Sequence, residues 1–383
     1  MLPDLRRYIL ENWTRVTGDK LAPRDVTILV QGTGAGKLCC YIFPAGARRP
    51  ALVAKVPRSP RDNPLLAREY GLIQYLRSRG SPYLQATLPA PLVMTAVAGH
   101  LVVIEIYLPG QVVDGLLARN RQTGTSPLRD VYLKLAADWL LRSQAETASS
   151  PTRLTEAQFD TFILRPLTEL RTTAHLTESE TRYLERLAQR ARELARLELP
   201  LVFRHGDLRP GNLLVSHGML KVVDWENGAP VGLPLLDLFG LLARMHARHY
   251  GLEEIDDYLE DYCAAFEDVF FDGGSFAETT LRYVKLGCHV LGVHPAWVDV
   301  LFGMFLVMES NNYFHFLRQR VEHGYVYLLR SRDGTVRGPL SAQLARQKYV
   351  WLIGHLAQNE ERLVFHRLGQ VAQRQHWTAP MCR

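Results

Sequence analysis

The chain has 383 residues, of which 47% are hydrophobic and 22% charged, and its formal net charge at pH 7 is +6. This composition excludes a disordered chain, and the length allows two lobes that each bury a core. The net charge is mild for this length, so no nucleic-acid-binding surface is indicated.

Cysteine spacing and hydropathy indicate the cellular compartment of the protein and whether it spans a membrane. The five cysteines form no C-x-x-C pair and have no histidine at metal-ligand spacing, which predicts reduced thiols and a cytoplasmic location. The N-terminal residues lack an apolar core of signal-peptide length. The most apolar stretch, residues 283–308, includes Lys285, His289 and Asp299. These side chains are too costly for a membrane span, so the stretch predicts two buried helices.

The first candidate site along the chain is QGTGAGKL at residues 31–38. A Walker A loop would need a glycine at Gln31 and a hydroxyl at Leu38, and the glycine spacing does not match a dinucleotide-binding fold either. Apolar runs at 26–30 and 38–43 flank the stretch. The pattern therefore predicts the tip of a β-hairpin rather than a strand-to-helix phosphate loop.

Residues 26–108 are rich in predicted strands and contain one clear helix, at 64–79. Asn63 and Pro64 are predicted to start it as the capping residue and the first helical residue, and Leu65, Leu72, Ile73 and Leu76 form its apolar stripe. Glu69 lies on that stripe, and a buried carboxylate needs a partner. Only seven of the 45 basic residues are lysines, so Lys55 in the apolar strand ALVAKV is the candidate cation.

A second apolar strand, LVVIEIYL at 101–108, ends at Pro109-Gly110, which predicts a hinge. Beyond it the pattern is mainly helical, as in the helix that a capping box at Thr177 begins. We therefore predict a small β-rich lobe at residues 1–108 and a larger helical lobe at 109–383.

Residues 200–228 carry the chemistry of the chain. Two short apolar strands, 213–215 and 220–223, flank a polar turn and predict an antiparallel hairpin. Asp207 and Asn212 precede the first strand and Asp224 follows the second, so the hairpin brings the three side chains together. Two carboxylates and an amide suit Mg²⁺ and leave room for phosphate oxygens. This arrangement fits phosphoryl transfer.

The motifs in this segment also resemble those of a known family. His205-Gly206-Asp207 with Asn212, and then Asp224-Trp225-Glu226, resemble the H-G-D-x-x-x-x-N and D-W-E motifs of aminoglycoside phosphotransferases and choline kinase-like enzymes. Glycine-rich hairpin, strand lysine, helix glutamate, hinge and catalytic hairpin 205–226 follow in the same order. The resemblance covers roughly residues 24–310. It implies an α+β, two-lobed protein kinase-like fold with a small β-rich N-lobe and a larger, mainly helical C-lobe.

The resemblance implies an ATP-dependent kinase that phosphorylates a hydroxyl of a small molecule. Asp207 would accept or orient the hydroxyl proton, and Arg209 would stabilise the γ-phosphoryl group. Asn212 and Asp224 would bind the Mg²⁺ ions that bridge the phosphates.

The remaining implied roles concern the nucleotide. Lys55, held by Glu69, would contact the α- and β-phosphates, and backbone groups between Glu105 and Tyr107 would bind the adenine. The turn that contains Gly32, Gly34 and Gly36 would cover the phosphates of ATP. Lys37, directly after that turn, receives no catalytic role from the resemblance.

Two alternatives remain at this stage. A protein kinase is disfavoured because only residues 225–236 separate Asp224 from Asp237, which leaves little room for an activation loop. A nucleotide-binding pseudokinase of the same fold would serve as a regulator or scaffold. The acidic run 253–268 and the polar residues Glu309, Asn311 and Asn312 are candidate substrate contacts, although the run fits a solvated helix face better. The acceptor and the oligomeric state stay open.

Overall fold

The computed structural model describes residues 1–19, 21–31, 37–121, 127–249, 259–322, 348–366 and 368. The glycines predicted to cover the phosphates, Gly32, Gly34 and Gly36, lie outside these residues. Residues 253–258 of the acidic run also lie outside them.

The chain forms two compact units. The first unit combines Met1–Val112 with His205–Asp207 and Asn212–Pro230. The second unit consists of the stretches Val113–Arg204, Leu208–Gly211 and Val231–Arg383. The chain therefore returns to the first unit for most of the catalytic hairpin. The lobe boundary that we placed between residues 108 and 109 stays a prediction.

The first unit is built on an antiparallel five-stranded sheet with the order β1-β2-β3-β5-β4. Its strands are β1 (Val26–Gln31), β2 (Lys37–Pro44), β3 (Leu52–Pro57), β4 (Ala90–Val97) and β5 (His100–Ile106). β1 and β2 pair in a register that sets Gln31 opposite Cys39, so the two strands form the hairpin that the sequence predicts.

A helix that we did not anticipate covers one face of this sheet. Helix α1 (Leu2–Thr17) buries Leu5, Ile9, Trp13 and Val16 at helical spacing. These side chains pack against alternate residues of the strands, among them Leu52, Ala54 and Val56 of β3. Since successive side chains of a strand point to opposite faces, Val53 and Lys55 lie on the other face.

Helices α2 (Asn63–Arg79) and α3 (Pro82–Thr87) follow β3, and α2 packs against β3, β4 and β5. The details of its first turn differ from the prediction. A short 3₁₀ turn, Pro60–Asp62, leads into the helix, so Asp62 takes the capping position and Asn63 is already helical. The buried leucine of the first turn is Leu66 and not Leu65, which is half-buried; Leu66 lies three residues before the buried Glu69, on the same face of the helix.

A three-stranded sheet forms the rest of the first unit. Its strands are β6 (Gln111–Val112), β7 (Leu213–Ser216) and β8 (Met219–Val222), with β7 between the other two. His217 and Gly218 connect β7 to β8 with φ angles of 50° and 75°. Two successive left-handed residues are typical of the tight turn that matches the twist of a hairpin.

The second unit is mainly helical. Its helices are α4 (Val113–Arg121), α5 (Pro127–Thr147), α6 (Glu156–Phe159), α7 (Arg165–Thr173), α8 (Glu178–Leu194), α9 (Leu236–His249), α10 (Leu259–Phe270), α11 (Ala277–Leu291), α12 (Val298–Glu322) and α13 (Lys348–Asn359). A π-helical turn, Asp160–Leu164, joins α6 to α7. The chain also forms two short strands, Val202–Arg204 in the second unit and Ala229–Gly232, which begins in the first unit and ends in the second.

Two predicted features of the second unit are confirmed. Thr177 and Glu180 form the capping box at the start of α8. The apolar stretch 283–308 is divided between α11 and α12, as predicted. Within the described parts of the chain, no helix combines the length and hydropathy that a membrane crossing requires.

Candidate active site

His205 fixes the backbone of the loop at residues 205–212. Its Nε2 lies 3.1 Å from the carbonyl oxygen of Val223, and its Nδ1 lies 3.3 Å from the backbone N of Asp207. A carbonyl accepts and an N–H donates, so both contacts fit the neutral imidazole with its proton on Nε2. The ring also lies 4.5 Å from the ring of Trp225, centroid to centroid. His205 therefore holds the loop and is not positioned as a free base.

Asn212 joins Asp207 to the hairpin. Its Nδ2 donates to the carbonyl oxygen of Asp207 at 2.8 Å and to Oδ2 of the same residue at 3.0 Å. Its carbonyl oxygen accepts from the N–H of Val223 at 3.0 Å, one residue before Asp224. Asn212 thus bonds directly to Asp207 and, through its backbone, to the residue before Asp224. Because the amide nitrogen makes both side-chain bonds, Oδ1 is the atom of Asn212 that could ligate a cation.

Asp224 follows β8 in a left-handed conformation, with a φ of 68°. Such a conformation is uncommon for residues other than glycine and is tolerated by aspartate. It directs the carboxylate to the ammonium of Lys37, with Oδ1 and Nζ 2.5 Å apart. Two residues later, Glu226 contacts the same ammonium at 3.0 Å. The backbone carbonyl of Glu226 also accepts from Arg68 Nη2 of α2 at 2.6 Å.

The expected lysine–glutamate pair is present on the α2 face of the sheet. Lys55 Nζ lies 2.7 Å from Glu69 Oε1, and both side chains are buried. A second carboxylate, which we did not anticipate, completes the contact: Glu105 Oε1 lies 3.1 Å from the same ammonium. We had proposed only backbone contacts for Glu105. Like Glu69, Glu105 is a carboxylate in an apolar segment and needs a cation, so the sequence carries a signal for this contact.

Lys37 is the residue that sequence reasoning missed. Besides Asp224 and Glu226, its ammonium contacts Glu69, with Nζ and Oε2 2.9 Å apart. Its position follows from the strand register, in which Cys39 lies opposite Lys55. Lys37 is two residues before Cys39 on β2, so both lysines point to the same face as diagonal neighbours. The scarcity of lysine was the only signal in the sequence.

The charges of this cluster shift the pKa values of its members. Burial alone would lower the pKa of Lys37, but the carboxylates of Glu69, Asp224 and Glu226 raise it well above its usual value. Burial opposes the charged form of Asp224 as well, yet Lys37 holds the pKa of that carboxyl below its usual value. For Glu105 burial outweighs the attraction of Lys55, and the pKa is raised.

Other predicted site residues are placed as follows. The N–H of Tyr107 donates to the carbonyl oxygen of Ala51 at 3.0 Å, so any adenine contact of Tyr107 would use a different backbone group. Arg209 is half-buried and belongs to the second unit. The roles of both residues stay predictions.

The candidate substrate contacts on α12 make bonds within the second unit. Glu309 is buried and pairs with Arg244 of α9, with 2.5 Å between Oε2 and Nη2. Asn311 donates from Nδ2 to the carbonyl oxygen of Pro166 at 2.9 Å. Both contacts join helices of the unit, which is a structural use of these polar side chains.

The donor set fits a divalent cation that arrives with a phosphate ligand. In the described parts of the chain, no three histidine, cysteine or acidic side chains are grouped closely enough to hold a metal ion by themselves. Asn212 and Asp224 offer an amide oxygen and a carboxylate, which are hard donors. Mg²⁺ commonly takes one or two protein ligands and completes its shell with water and phosphate oxygens.

Comparison with known proteins is consistent with the predicted fold. A model described as the phosphotransferase enzyme family matches residues 42–277. A choline/ethanolamine kinase family protein from Mesorhizobium loti has a TM-score of 0.50 at 15% identity, over 97% of this chain and 100% of that one. Amicoumacin kinase, solved with AMP-PNP and Ca²⁺, has a TM-score of 0.49 at 16% identity, over 94% and 96% of the two chains.

A thermostable mutant of an aminoglycoside phosphotransferase has a TM-score of 0.46 at 14% identity, over 83% of this chain and 96% of that one. None of the curated proteins matches the sequence. At 15% identity the likeness to the Mesorhizobium loti protein is one of fold. The predicted fold class, a kinase-like α+β architecture with a small antiparallel sheet and a mostly helical remainder, is confirmed.

Proposed function

The chain belongs to the phosphotransferase enzyme family and is a kinase-type enzyme. From that premise we propose that it transfers the γ-phosphoryl group of Mg-ATP to a hydroxyl of a small molecule. The acceptor class we propose comprises amino alcohols, sugars, amino acids and aminoglycoside-like compounds. The cytoplasmic location expected from the cysteines is part of the same proposal.

One observation carries this proposal: a continuous series of contacts runs through the first unit from Asp207 to Lys55. Asn212 connects Asp207 to the strand end before Asp224, and the ammonium of Lys37 connects Asp224 to Glu69. Glu69 in turn binds Lys55. A candidate base, candidate cation ligands and a candidate phosphate-binding lysine are thus parts of one connected series of contacts. Phosphoryl transfer depends mainly on such positioning and on neutralising charge.

Each residue has a proposed task. Asp207 orients the hydroxyl of the acceptor and takes its proton, with its carboxylate held by the amide of Asn212. Asn212 and Asp224 hold the divalent cation, and Lys55, kept in place by Glu69, contacts the nucleotide phosphates. When bound, the cation neutralises charge on the phosphate oxygens. Arg209 is proposed to stabilise the transferred group.

A protein substrate is disfavoured by the path of the chain after the metal site. Helix α9 begins at Leu236, and residues 225–235 include the strand Ala229–Gly232. Little chain remains for a segment that would present a peptide. The pseudokinase alternative has the same fold and binding residues, so only a measurement of turnover separates it from an active kinase.

The experiment is a screen of the purified protein for acceptor-dependent release of ADP from Mg-ATP, with amino alcohols, sugars, amino acids and aminoglycosides as acceptors. Asp207→Asn keeps the shape of the side chain and can still accept the bond from Asn212. We expect it to lower kcat by about 10² or more, because a positioned general base contributes that much. Its affinity for Mg-ATP should stay near that of the parent protein.

The matched control is Asp138→Asn, the same change at a half-exposed position of α5. This variant should keep full turnover with the acceptor that the screen identifies. Asp207→Asn activity equal to the control would remove Asp207 from the mechanism. Nucleotide binding without turnover on any acceptor would favour the pseudokinase, and failure to bind nucleotide would contradict the proposal as a whole.

A further inference from the structure

Among the described residues of the site, Lys37 is the basic residue that forms ion pairs with the largest number of carboxylates. Its side chain is 16% exposed, and Nζ lies within 3.0 Å of one oxygen each of Glu69, Asp224 and Glu226. An ammonium has three N–H donors. All three are therefore directed to carboxylates, which is a complete set of partners and not a chance surface contact.

The acidic residues outnumber the lysines in this cluster. Four carboxylates, those of Glu69, Glu105, Asp224 and Glu226, surround two ammonium groups. Lys55 forms ion pairs with Glu69 and Glu105, so Lys37 is the lysine that neutralises Asp224 and Glu226. Without it, the partly exposed carboxylates of Asp224 and Glu226 would lie close together with no ammonium between them, and like charges repel each other.

Asp224 is also the proposed ligand of the divalent cation, so Lys37 lies where that cation must act. A metal ion bound to Asp224 would approach an ammonium that is hydrogen-bonded to the same carboxylate, and the two positive charges would repel each other. A nucleotide that arrives with the metal offers phosphate oxygens, which are strong acceptors for an ammonium. The repulsion is then relieved, because Lys37 has new partners.

We propose that Lys37 is a built-in counter-cation that pairs with the carboxylate of Asp224 and moves to the nucleotide phosphates when Mg-ATP binds. This inference rests on the proposed function. It gives Lys37 two effects: it weakens binding of a divalent cation alone, and it strengthens binding of the nucleotide. The site consequently favours the metal–nucleotide complex over the free metal ion.

The test measures binding and does not depend on catalysis. Mn²⁺ serves as the probe for the metal, by its electron paramagnetic resonance, and AMP-PNP in the presence of EDTA serves as the probe for the metal-free nucleotide. We expect Lys37→Met to bind Mn²⁺ in the absence of nucleotide about tenfold more tightly than the parent protein, because the competing charge is gone. We expect the same variant to bind metal-free AMP-PNP about tenfold more weakly.

The matched control is Lys221→Met, which removes a lysine of the same unit outside the cluster, where Nζ lies 3.4 Å from the carbonyl oxygen of Pro109. This control should leave both affinities unchanged. An unchanged Mn²⁺ affinity in Lys37→Met, with AMP-PNP binding also unchanged, would overturn the inference while leaving the proposed function intact. Failure of the parent protein to bind AMP-PNP with Mg²⁺ would overturn both.

Lys37→Met leaves an excess of negative charge and could fail to fold. The double variant Lys37→Met with Glu226→Gln removes one charge of each sign and is compared with Glu226→Gln alone. The expected result is the same gain of about tenfold in Mn²⁺ affinity. Equal Mn²⁺ affinities in these two proteins would contradict the competition between Lys37 and the metal.

Discussion

At the scale of single residues, backbone conformation determines where the functional groups of the loop point. Gly206, between His205 and Asp207, has a φ of 77°, and Asp224 has a φ of 68°. Left-handed backbone is costly for most residues, and such conformations concentrate at functional sites. The two positions turn the chain so that the carboxylates on either side of the hairpin can reach the same site.

Gly206 is also packed too closely to carry a side chain. A Cβ added there would lie 2.2 Å from the backbone oxygen of Asn227, whereas one added at Gly218, where φ is 75°, would meet nothing within 4 Å. Both glycines carry the same conformational penalty on substitution, but only Gly206 carries a clash. We predict that Gly206→Ala destabilises the fold by about 1–3 kcal/mol more than Gly218→Ala.

Urea unfolding of the two variants measures this difference directly. Gly206→Ala should also lose turnover, since Asp207 is the next residue and must shift with the loop. Equal losses of unfolding free energy in the two variants would show that the backbone at Asn227 moves away without cost.

At the scale of elements, the sheet of the first unit depends on a helix at each face. α2 supplies Glu69 to the site, whereas the buried side chains of α1 are Leu5, Ile9, Trp13 and Val16, which are all apolar. The strand β3 is buried on both faces, and its alternation sends Ala54 towards α1 and Lys55 towards α2. The position of the site lysine therefore depends on a core that lies on the opposite side of the sheet.

Removing a buried side chain of α1 tests this dependence. Ile9 is 1% exposed, and Ile9→Ala should destabilise the protein by about 2–5 kcal/mol through the lost burial and the remaining cavity. Leu2→Ala, on the same helix at a residue that is 38% exposed, should cost about 0.5 kcal/mol or less. Thermal unfolding of both variants compares the two losses of stability. Similar losses would mean that α1 is not a part of the core.

At the scale of the whole molecule, ion pairs tie the last described residues of the second unit to its earlier helices. His366 Nδ1 and Asp299 Oδ2 are 3.0 Å apart, and Arg190 of α8 reaches the same carboxylate oxygen at 3.0 Å. The hydrogen bond to Asp299 raises the pKa of His366. Burial and the charge of Arg190 lower this pKa, and the charge of Glu360 raises it to a smaller extent.

A raised pKa in the folded protein makes stability depend on pH in a defined direction. The contribution of His366 is complete below the ordinary histidine pKa of about 6.5 and is lost as pH rises through the folded-state value. We predict that His366→Asn costs on the order of 0.5–1 kcal/mol more at pH 5.5 than at pH 8.5. The free energy of unfolding of parent and variant, measured at both pH values, gives this difference. His175→Asn, at an exposed position, is the control. A cost independent of pH would mean that the charged imidazole contributes nothing.

The resemblance of the motifs implied the fold class, and the sequence by itself determined most strands, the capping box at Thr177 and the hairpin that carries Asp207, Asn212 and Asp224. These features depend on local patterns: alternation, capping residues and the spacing of motifs within one hairpin. The Lys55–Glu69 pair was also within reach, because a buried charge of each sign in an apolar context implies a partner.

Only the tertiary structure decided the roles of α1 and Lys37. The apolar stripe of an amphipathic helix does not indicate which surface the helix packs against. The position of α1 therefore depends on the sheet that it covers. Lys37 reaches its three carboxylates from β2, α2 and the end of β8, which are far apart along the chain. Its contacts follow from strand register and from the packing of α2 on the sheet, and no local pattern encodes either one.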